Sequence, residues 1–554
     1  MVIIGSGITG LVAAYYACKE NKKVSLVTKN YYSNNEYSWK SNGGCSWKTH
    51  AFNVALGEDR VEDHIVDTMI GSDYLANEEL VEVLCSEAPL IVDFLEEIGV
   101  NLDRNEDGTI QKKPFGGNGI SRAVFVEDRL GYYIVKALNN QMNNLITTGQ
   151  LTILEGLRVV EVETNIDEEN KHLLTFINVS TNELLEIKTH TIIFADGGGA
   201  SMYAPTASSE DKTCDGLNLA YEMGLDLIDM EFVQFHPTGL VSDNPIYNGS
   251  LFEESLRFSG AKLKNKNGER FMFSYNPLGE CATRDKVSRG IYMEIMKGNG
   301  FENGSVELDL SDCYEEIIDS YPALKERLVQ AGYDIEENRS IFIKPTAHFM
   351  MGGVKINSKC ETNISGIYFA GESAGGVHGA NRLGGNGLTE ALVFGKIAGT
   401  EALNYTLSLI SNTDMEEIML SKRTVNYKIN GLVKGDLYSD FKQLKEVMYK
   451  NVGPVRTKKG LEDSLAYLKS LKAHSYDLTS LPTKNSYQIY LDYKNLLFTS
   501  ELIVTAALLR NESRGSHYRE DYLDKLDVNK NYILKKEKNQ VCTSVIDTPK
   551  LQLN

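Results

Sequence analysis

Cysteine is sparse in this sequence. Its eight cysteines (Cys18, Cys45, Cys85, Cys214, Cys281, Cys313, Cys360, Cys542) are scattered over 554 residues, and no C-x-x-C occurs. That spacing argues against structural zinc, an iron–sulfur cluster ligated within the chain, and a disulfide framework. No run of about 18 apolar residues exists, so no membrane-spanning helix is expected. Positive charge is also short: 57 Lys and Arg face 76 Asp and Glu, a net charge of −19. Non-specific nucleic-acid binding is thereby disfavoured, and an anionic ligand would need a local cluster of Arg and His. The first strand pattern starts with the first residues, so no secretory or twin-arginine leader is expected, and the chain reads as cytoplasmic. There is no internal repeat and no low-complexity segment.

Apolar content of 42% and charged content of 24% are ordinary for a globular protein, and the length suggests two to four domains. The organising stretch is MVIIGSGITG, Met1 to Gly10. An apolar strand runs into Gly5-Ser6-Gly7-Ile8-Thr9-Gly10, and LVAAYYACKE then reads as a helix. A Gly-x-Gly-x-x-Gly between strand and helix lets the backbone approach a pyrophosphate and aims the helix N-terminus at it. A dinucleotide, NAD or FAD, is the first hypothesis. The second strand, Lys22 to Thr28, ends on Thr28 where an NAD site usually places an acidic residue. That departure weakens NAD and leaves FAD open.

Helical patterns follow from Val61 to Gly99 and from Leu130 to Asn144. A β-rich portion, Leu151 to Phe194, alternates as a meander and ends in TIIFADGGG, a second close-approach Gly turn at Asp196–Gly199. From about Val241 to Ile343 the pattern becomes mixed, as an inserted domain would be. ISGIYFAGES then gives another strand-to-Gly turn, and a long helix is expected from Gly387 to Tyr405. Beyond about Asp414 the pattern is mostly helical, and the last twenty residues read as an edge strand or a poorly packed tail.

Gly, His and Arg concentrate in EFVQFHPTG (231–239), CATRDKVSR (281–289), KPTAHFMMGG (344–353) and GESAGGVHGANRLGGNGL (371–388). These hold His236, His348, His378, Arg284, Arg289 and Arg382. Such a set in an acidic chain fits an anion pocket, where Arg forks a carboxylate and His adds donors. Buried ion pairs are the plainer alternative, and His50, His64 and His172 read as ordinary core or surface histidines.

The sequence resembles the flavoprotein family of succinate dehydrogenase, fumarate reductase and L-aspartate oxidase, nearest the fumarate reductase flavoprotein subunit. The resemblance is carried by GSGITG, the NGG at 42–44, PFGG at 114–117, TCDG at 213–216, EFVQFHPTG, NKNGERFM, RDKVSR, HFMMGG, HGANRLGGN and ESRGSH at 512–517. It implies an α/β fold: a Rossmann-like FAD-binding domain in two pieces (1–240 and 346–410), an inserted α+β capping domain (241–345) and a C-terminal helical domain (411–554). It implies Arg284 as the proton donor or acceptor at the substrate carbon, with Glu254 and Arg257 relaying protons from solvent. Arg382 and His348 correspond to the clamp on one substrate carboxylate, and His236 to a donor to the other. For FAD the resemblance points to Gly5, Ser6, Gly7, Gly10, Thr28, Lys29, Ser38, Gly43, Gly44, Asp215, Glu372, Gly387 and Leu388, and it implies no metal. Because the chain holds no cluster-binding cysteine set, electrons must pass to or from oxygen, a small carrier or a partner such as an iron–sulfur subunit.

Three positions depart from the family pattern. The membrane-bound enzymes tether FAD to a His six residues before the Gly-Gly pair. Here that position is Tyr37, so FAD is expected to be non-covalent, which disfavours succinate oxidation. Phe115 stands where the aspartate oxidases carry a Glu that meets the substrate ammonium, which points away from aspartate. Glu253 replaces a Thr or Ser that donates to the second carboxylate. Ionised about 4 Å from that carboxylate, it would repel it by roughly 4 kcal/mol at an effective dielectric near 20, unless it is protonated or turned to solvent. The expected reaction is reduction of the activated C=C of an unsaturated carboxylic acid, with fumarate/succinate the default. The alternatives are an L-aspartate oxidase, or a reductase of a different unsaturated acid selected by Glu253.

Overall fold

Five short strands, all but the edge strand Leu151–Glu155 buried along their length, build a parallel sheet in the order Ile367–Phe369, Ile192–Phe194, Val2–Ile4, Val24–Thr28 and Leu151–Glu155. The inner strands are near-continuous apolar runs because helices cover the sheet. The helices Ile8–Ala17 and Asn386–Leu409 pack on each other and against it. Residues 1–19, 24–30, 49–166, 171–252, 254–409, 417–420, 423–480, 485–538 and 540–548 of this computed structural model are described.

The meander is Leu157–Glu163, His172–Asn178 and Leu184–Thr189, extended by Glu417–Leu420. The flanking strands at 151–155 and 192–194 belong instead to the parallel sheet. A second hydrophobic core is drawn wholly from residues between Leu240 and Ile343. It is reached by two long antiparallel strands, Val233–Leu240 and Ser340–Met350, which run from the main body into a sheet completed by Val306–Asp309 and Lys262–Lys264.

Three helices, Leu437–Asn451, Lys458–Leu471 and Ser486–Leu509, pack on one another beyond this point. The tail is then an ordered hairpin, Lys530–Glu537 with Gln540–Asp547, whose first strand pairs with Leu227–Ile228. Ile533 and Leu534 anchor it in the interior, and 540–547 forms the edge of its sheet. No helix among the described residues is long and apolar enough to cross a membrane.

Candidate active site

One cleft, with about 1780 Å³ of empty space including its open mouth, runs from the first glycine turn to the inserted domain. At one end lie Gly5, Ser6, Gly7 and Ile8, with Thr28 at the end of the second strand and Lys29 just after it. Gly5 has φ +105°, and a Cβ there would fall 2.3 Å from the Ala195 carbonyl oxygen. The turn therefore closes onto the next strand only without a side chain. No side chain caps the helix Ile8–Ala17, so its N-terminus opens onto the cleft as a pyrophosphate site would. Ser6 Oγ and Thr28 Oγ1 lie 2.9 Å apart. Gly10 does not line the cleft: a Cβ there would meet the Gly5 carbonyl oxygen at 1.9 Å. Its role is to let helix and turn pack.

Asp215 lines the cleft, but its carboxylate is already engaged. Lys29 Nζ donates to it at 2.9 Å and Arg158 Nε at 3.0 Å. Burial alone would raise its pKa, yet Arg158 and Lys29 hold it well below the usual carboxylate range. Asp215 thus holds two cations, Lys29 and Arg158, at the cleft wall. Glu372 pairs with Lys212 and accepts from the Met350 amide at 3.1 Å. Gly387 and Leu388 complete this wall. Asp196 accepts from the Gly216 amide at 2.6 Å through one oxygen, while its other oxygen is buried without a partner. The open helix end, the two wall cations and this orphaned oxygen fit a dinucleotide with phosphates and hydroxyls. Ser38, Gly43, Gly44 and Tyr37 lie outside the described residues, as does Glu253.

At the other end the cleft is lined by Phe115, His236, Glu254, Arg284, His348 and Arg382. The strands that connect the two bodies place the histidines. Gln234 pairs with Phe349 but Phe235 with Ala347, so His348 is the extra residue of a β-bulge. A bulge re-aims its side chain, and the His348 ring meets the His236 ring edge-on, centroids 5.6 Å apart. Both imidazoles titrate well below their ordinary value. Burial is the main cause, followed by Arg284 for His236 and Arg382 for His348. They are neutral at neutral pH.

Arg284 opens the helix Arg284–Met296. Its Nε donates to Glu254 Oε2 at 2.7 Å, and Arg257 Nη2 donates to Glu254 Oε1 at 3.0 Å. Arg257 stands behind Glu254, away from the cleft, and also donates to the Glu280 carbonyl. All three groups are buried. Burial would raise the Glu254 carboxyl, but the two guanidiniums hold it below the ordinary value, so it is ionised. Gly384 and Gly387 give the arginines room: Cβ atoms there would lie 2.9 Å from Arg284 Nη2 and 2.6 Å from Arg382 Nη1. The Arg382 guanidinium lies 4.3 Å from the Phe349 ring centroid, and its Nε is buried without a partner. Burial and the Arg284 charge push its pKa down. Arg382 therefore presents a guanidinium with no carboxylate partner among the described residues, as suits an anionic ligand.

Wall residues not singled out from the sequence include Thr49, Arg158 and Lys212, and Asp196 entered only as the start of its Gly turn. Arg158 could have been found as a lone cation within an apolar strand pattern, LRVV. His50 bonds the Asp128 carbonyl oxygen at 2.7 Å and lines the cleft, so it is more than an ordinary core histidine. His64 and His172 do read that way. They bond Asn386 at 3.1 Å and the Ser365 carbonyl at 3.2 Å, and neither lines the cleft. His378 and Arg289 stay out of the cleft as well. His378 pairs with Glu390 at 3.0 Å, and Arg289 covers the Tyr518 ring.

A glycine-turn cleft suited to a dinucleotide thus ends in a buried Arg–Glu–Arg array beside Arg382 and two neutral histidines, and the family matches make its class that of the FAD-dependent oxidoreductases. Residues 1–388 match the FAD binding domain family, and residues 441–548 match the fumarate reductase flavoprotein C-terminal family. An uncharacterized FAD-dependent oxidoreductase of Methanocaldococcus jannaschii is 36% identical over 528 residues, covering 94% of this chain and 93% of that one. One of the subunits of the CoM/CoB fumarate reductase of Methanothermobacter marburgensis is 35% identical over 530 residues, 94% of each. A mutant FrdA chain of Escherichia coli quinol fumarate reductase superposes with a TM-score of 0.84 at 27% identity, covering 100% of this chain and 97% of that one. The chain belongs to the FAD-binding flavoprotein family of the fumarate reductases and succinate dehydrogenases.

Proposed function

We propose that the protein reduces the activated C=C bond of an unsaturated dicarboxylic acid, fumarate in the first instance, using non-covalently held FAD. The observation that carries this reading is the buried Arg257–Glu254–Arg284 array ending beside Arg382, His348 and His236. Bound FAD supplies the hydride. Arg382, with His348, holds one substrate carboxylate and polarises the double bond toward it. His236 donates to the other end. Arg284 gives a proton to the carbon next to the one that receives the hydride. A guanidinium is a poor acid, with a pKa above about 12. Glu254, ionised at rest and in contact with Arg284, takes a proton from Arg257 and passes it to Arg284 as that group gives up its own, and Arg257 is reprotonated from solvent on the side facing away from the cleft.

Among the described residues no group of His, Cys, Asp and Glu could hold a metal ion. We assign electron supply to a partner, with an iron–sulfur subunit in the cytoplasm as the leading form. Phe115, buried in the wall beside Gly384, offers no anion to a substrate ammonium and speaks against aspartate. The test is fumarate-dependent oxidation of a reduced viologen, run beside aspartate-dependent peroxide production. Fumarate turnover without aspartate turnover is expected, and the reverse result would replace this reading with an aspartate oxidase. Acid precipitation should leave the yellow flavin in solution; a coloured pellet would refute the non-covalent assignment.

A further inference from the structure

Between the two arginines of the anion end sits one neutral side chain that no part of the reaction above uses. Gln234 is fully buried on the strand Val233–Leu240, next to the bulge that aims His348. Its Oε1 accepts from Arg284 Nη1 at 3.2 Å and from Arg382 Nη2 at 3.0 Å. Its Nε2 donates to the Arg382 carbonyl oxygen at 2.7 Å and to Asn381 Oδ1 at 3.2 Å. Each of the four bonds available to the amide is made, so the group cannot turn without losing several. One oxygen therefore fixes two guanidiniums, whose bonding nitrogens lie within about 6 Å of each other.

The partners of the two arginines differ. Arg284 has the Glu254 carboxylate at 2.6 Å. Arg382 pairs with no described carboxylate, and its Nε has no partner. An amide between them attracts both cations but neutralises neither. A carboxylate of the same shape would form an internal ion pair with Arg382 and take the place of the substrate anion. An apolar side chain would leave two like charges facing each other with nothing to set their spacing.

We infer that Gln234 is a positioning residue that separates the two arginines by duty. It locks both guanidiniums in place while leaving the charge of Arg382 free for a substrate carboxylate and that of Arg284 for Glu254. The inference rests on the dicarboxylate reading above. It makes the neutrality of position 234 a determinant of anion affinity, and its bridging a determinant of rate.

Gln234→Glu and Gln234→Met separate these two effects. Each holoenzyme is titrated calorimetrically with malonate, a dicarboxylate with no CH–CH bond to react, and assayed with fumarate and a reduced viologen. For Gln234→Glu, malonate affinity should fall at least tenfold and KM for fumarate rise in parallel, with kcat at saturation changing less than KM. For Gln234→Met, which keeps neutrality and loses the bridge, kcat should fall at least tenfold with malonate affinity within about threefold. Flavin content and melting temperature verify that each variant is folded. An amide with only a structural role would give both variants the same pattern, and that result overturns the inference. So does malonate affinity in Gln234→Glu within threefold of the parent. If the parent itself binds no malonate, the dicarboxylate reading fails first and the inference falls with it.

Discussion

Replacing Arg382 with Met tests the anion pocket directly, because Met keeps an apolar stem over Phe349 and removes only the charged fork. A substrate carboxylate about 4 Å from the guanidinium charge gains roughly 4 kcal/mol at an effective dielectric near 20. The repulsion between Arg382 and Arg284 is present with and without ligand, so it cancels to first order in binding. Losing about 4 kcal/mol weakens a dicarboxylate about a thousandfold. The consequence is readable without turnover. A ligand at 100 times its Kd stabilises the folded protein by about 2.7 kcal/mol, whereas the same concentration against a thousandfold weaker site adds about 0.1 kcal/mol or less. Thermal melts of the holoenzyme with and without succinate or malonate should therefore show a clear upward shift for the parent and almost none for Arg382→Met. Flavin content should be unchanged. An equal shift in the two proteins would refute the assignment of Arg382 as the anion clamp.

Arg284→Ala should abolish fumarate turnover, by at least the 10²–10⁴-fold typical of a lost acid–base group, with flavin still bound. Residual activity within tenfold of the parent would remove Arg284 from its role. Asp196 offers a pH test: burial, reinforced by the Asp215 charge, pushes its carboxyl up to about 7 against the Gly216 amide and Lys29. Its folded pKa lies above its unfolded value near 4. The native state therefore keeps a proton that the unfolded state releases, and stability falls as pH rises from about 4 to about 7. Asp196→Asn should match the parent below pH 4 and exceed it by about 4 kcal/mol at pH 8. A melting-temperature difference that does not change with pH would show that Asp196 does not titrate in this way.

The parts of the site legible in the sequence are those whose residue types are costly to bury. Arg, Glu and His are seldom buried without a partner or a task, so RDKVSR and HGANRLGGN stand out in an acidic chain even before their contacts are known, whereas Glu254 and Arg257 were reached only through the family resemblance. Glycines signal themselves in the same way at Gly5, because a strand-to-helix turn with positive φ tolerates little else. Arg158 and the carboxylate of Asp196 were not legible, although the Gly turn that Asp196 begins was. Each reaches the cleft through long-range placement, Arg158 by a strand of the meander and Asp196 by the turn after a central strand. Of the C-terminal hairpin the edge strand was legible, and 540–547 does form the edge of its sheet; the pairing of its first strand escaped for a related reason. Its strands carry several lysines and few buried positions, and it pairs with the distant Leu227–Ile228 rather than with a neighbour.

Gln234 marks the limit of such reading. It sits inside EFVQFHPTG, a stretch already prominent for His236, yet an amide gives no sign of its own because a buried Gln costs little once its hydrogen bonds are made. Its significance comes from what it touches. The bulge at Gln234/Phe235 sets His348 against His236, and the amide before that bulge holds the guanidiniums of residues 284 and 382 on a single oxygen. The backbone irregularity and the amide therefore act together. One shift of register turns a histidine into the cleft, and the adjacent side chain fixes the two cations that the histidine must complement. A single-residue change in that register would flip the side chains beyond it to the opposite face. The anion pocket is thus set by the pairing of two strands that join the main body to the inserted domain, which makes their geometry, as much as the arginines themselves, the source of its charge arrangement.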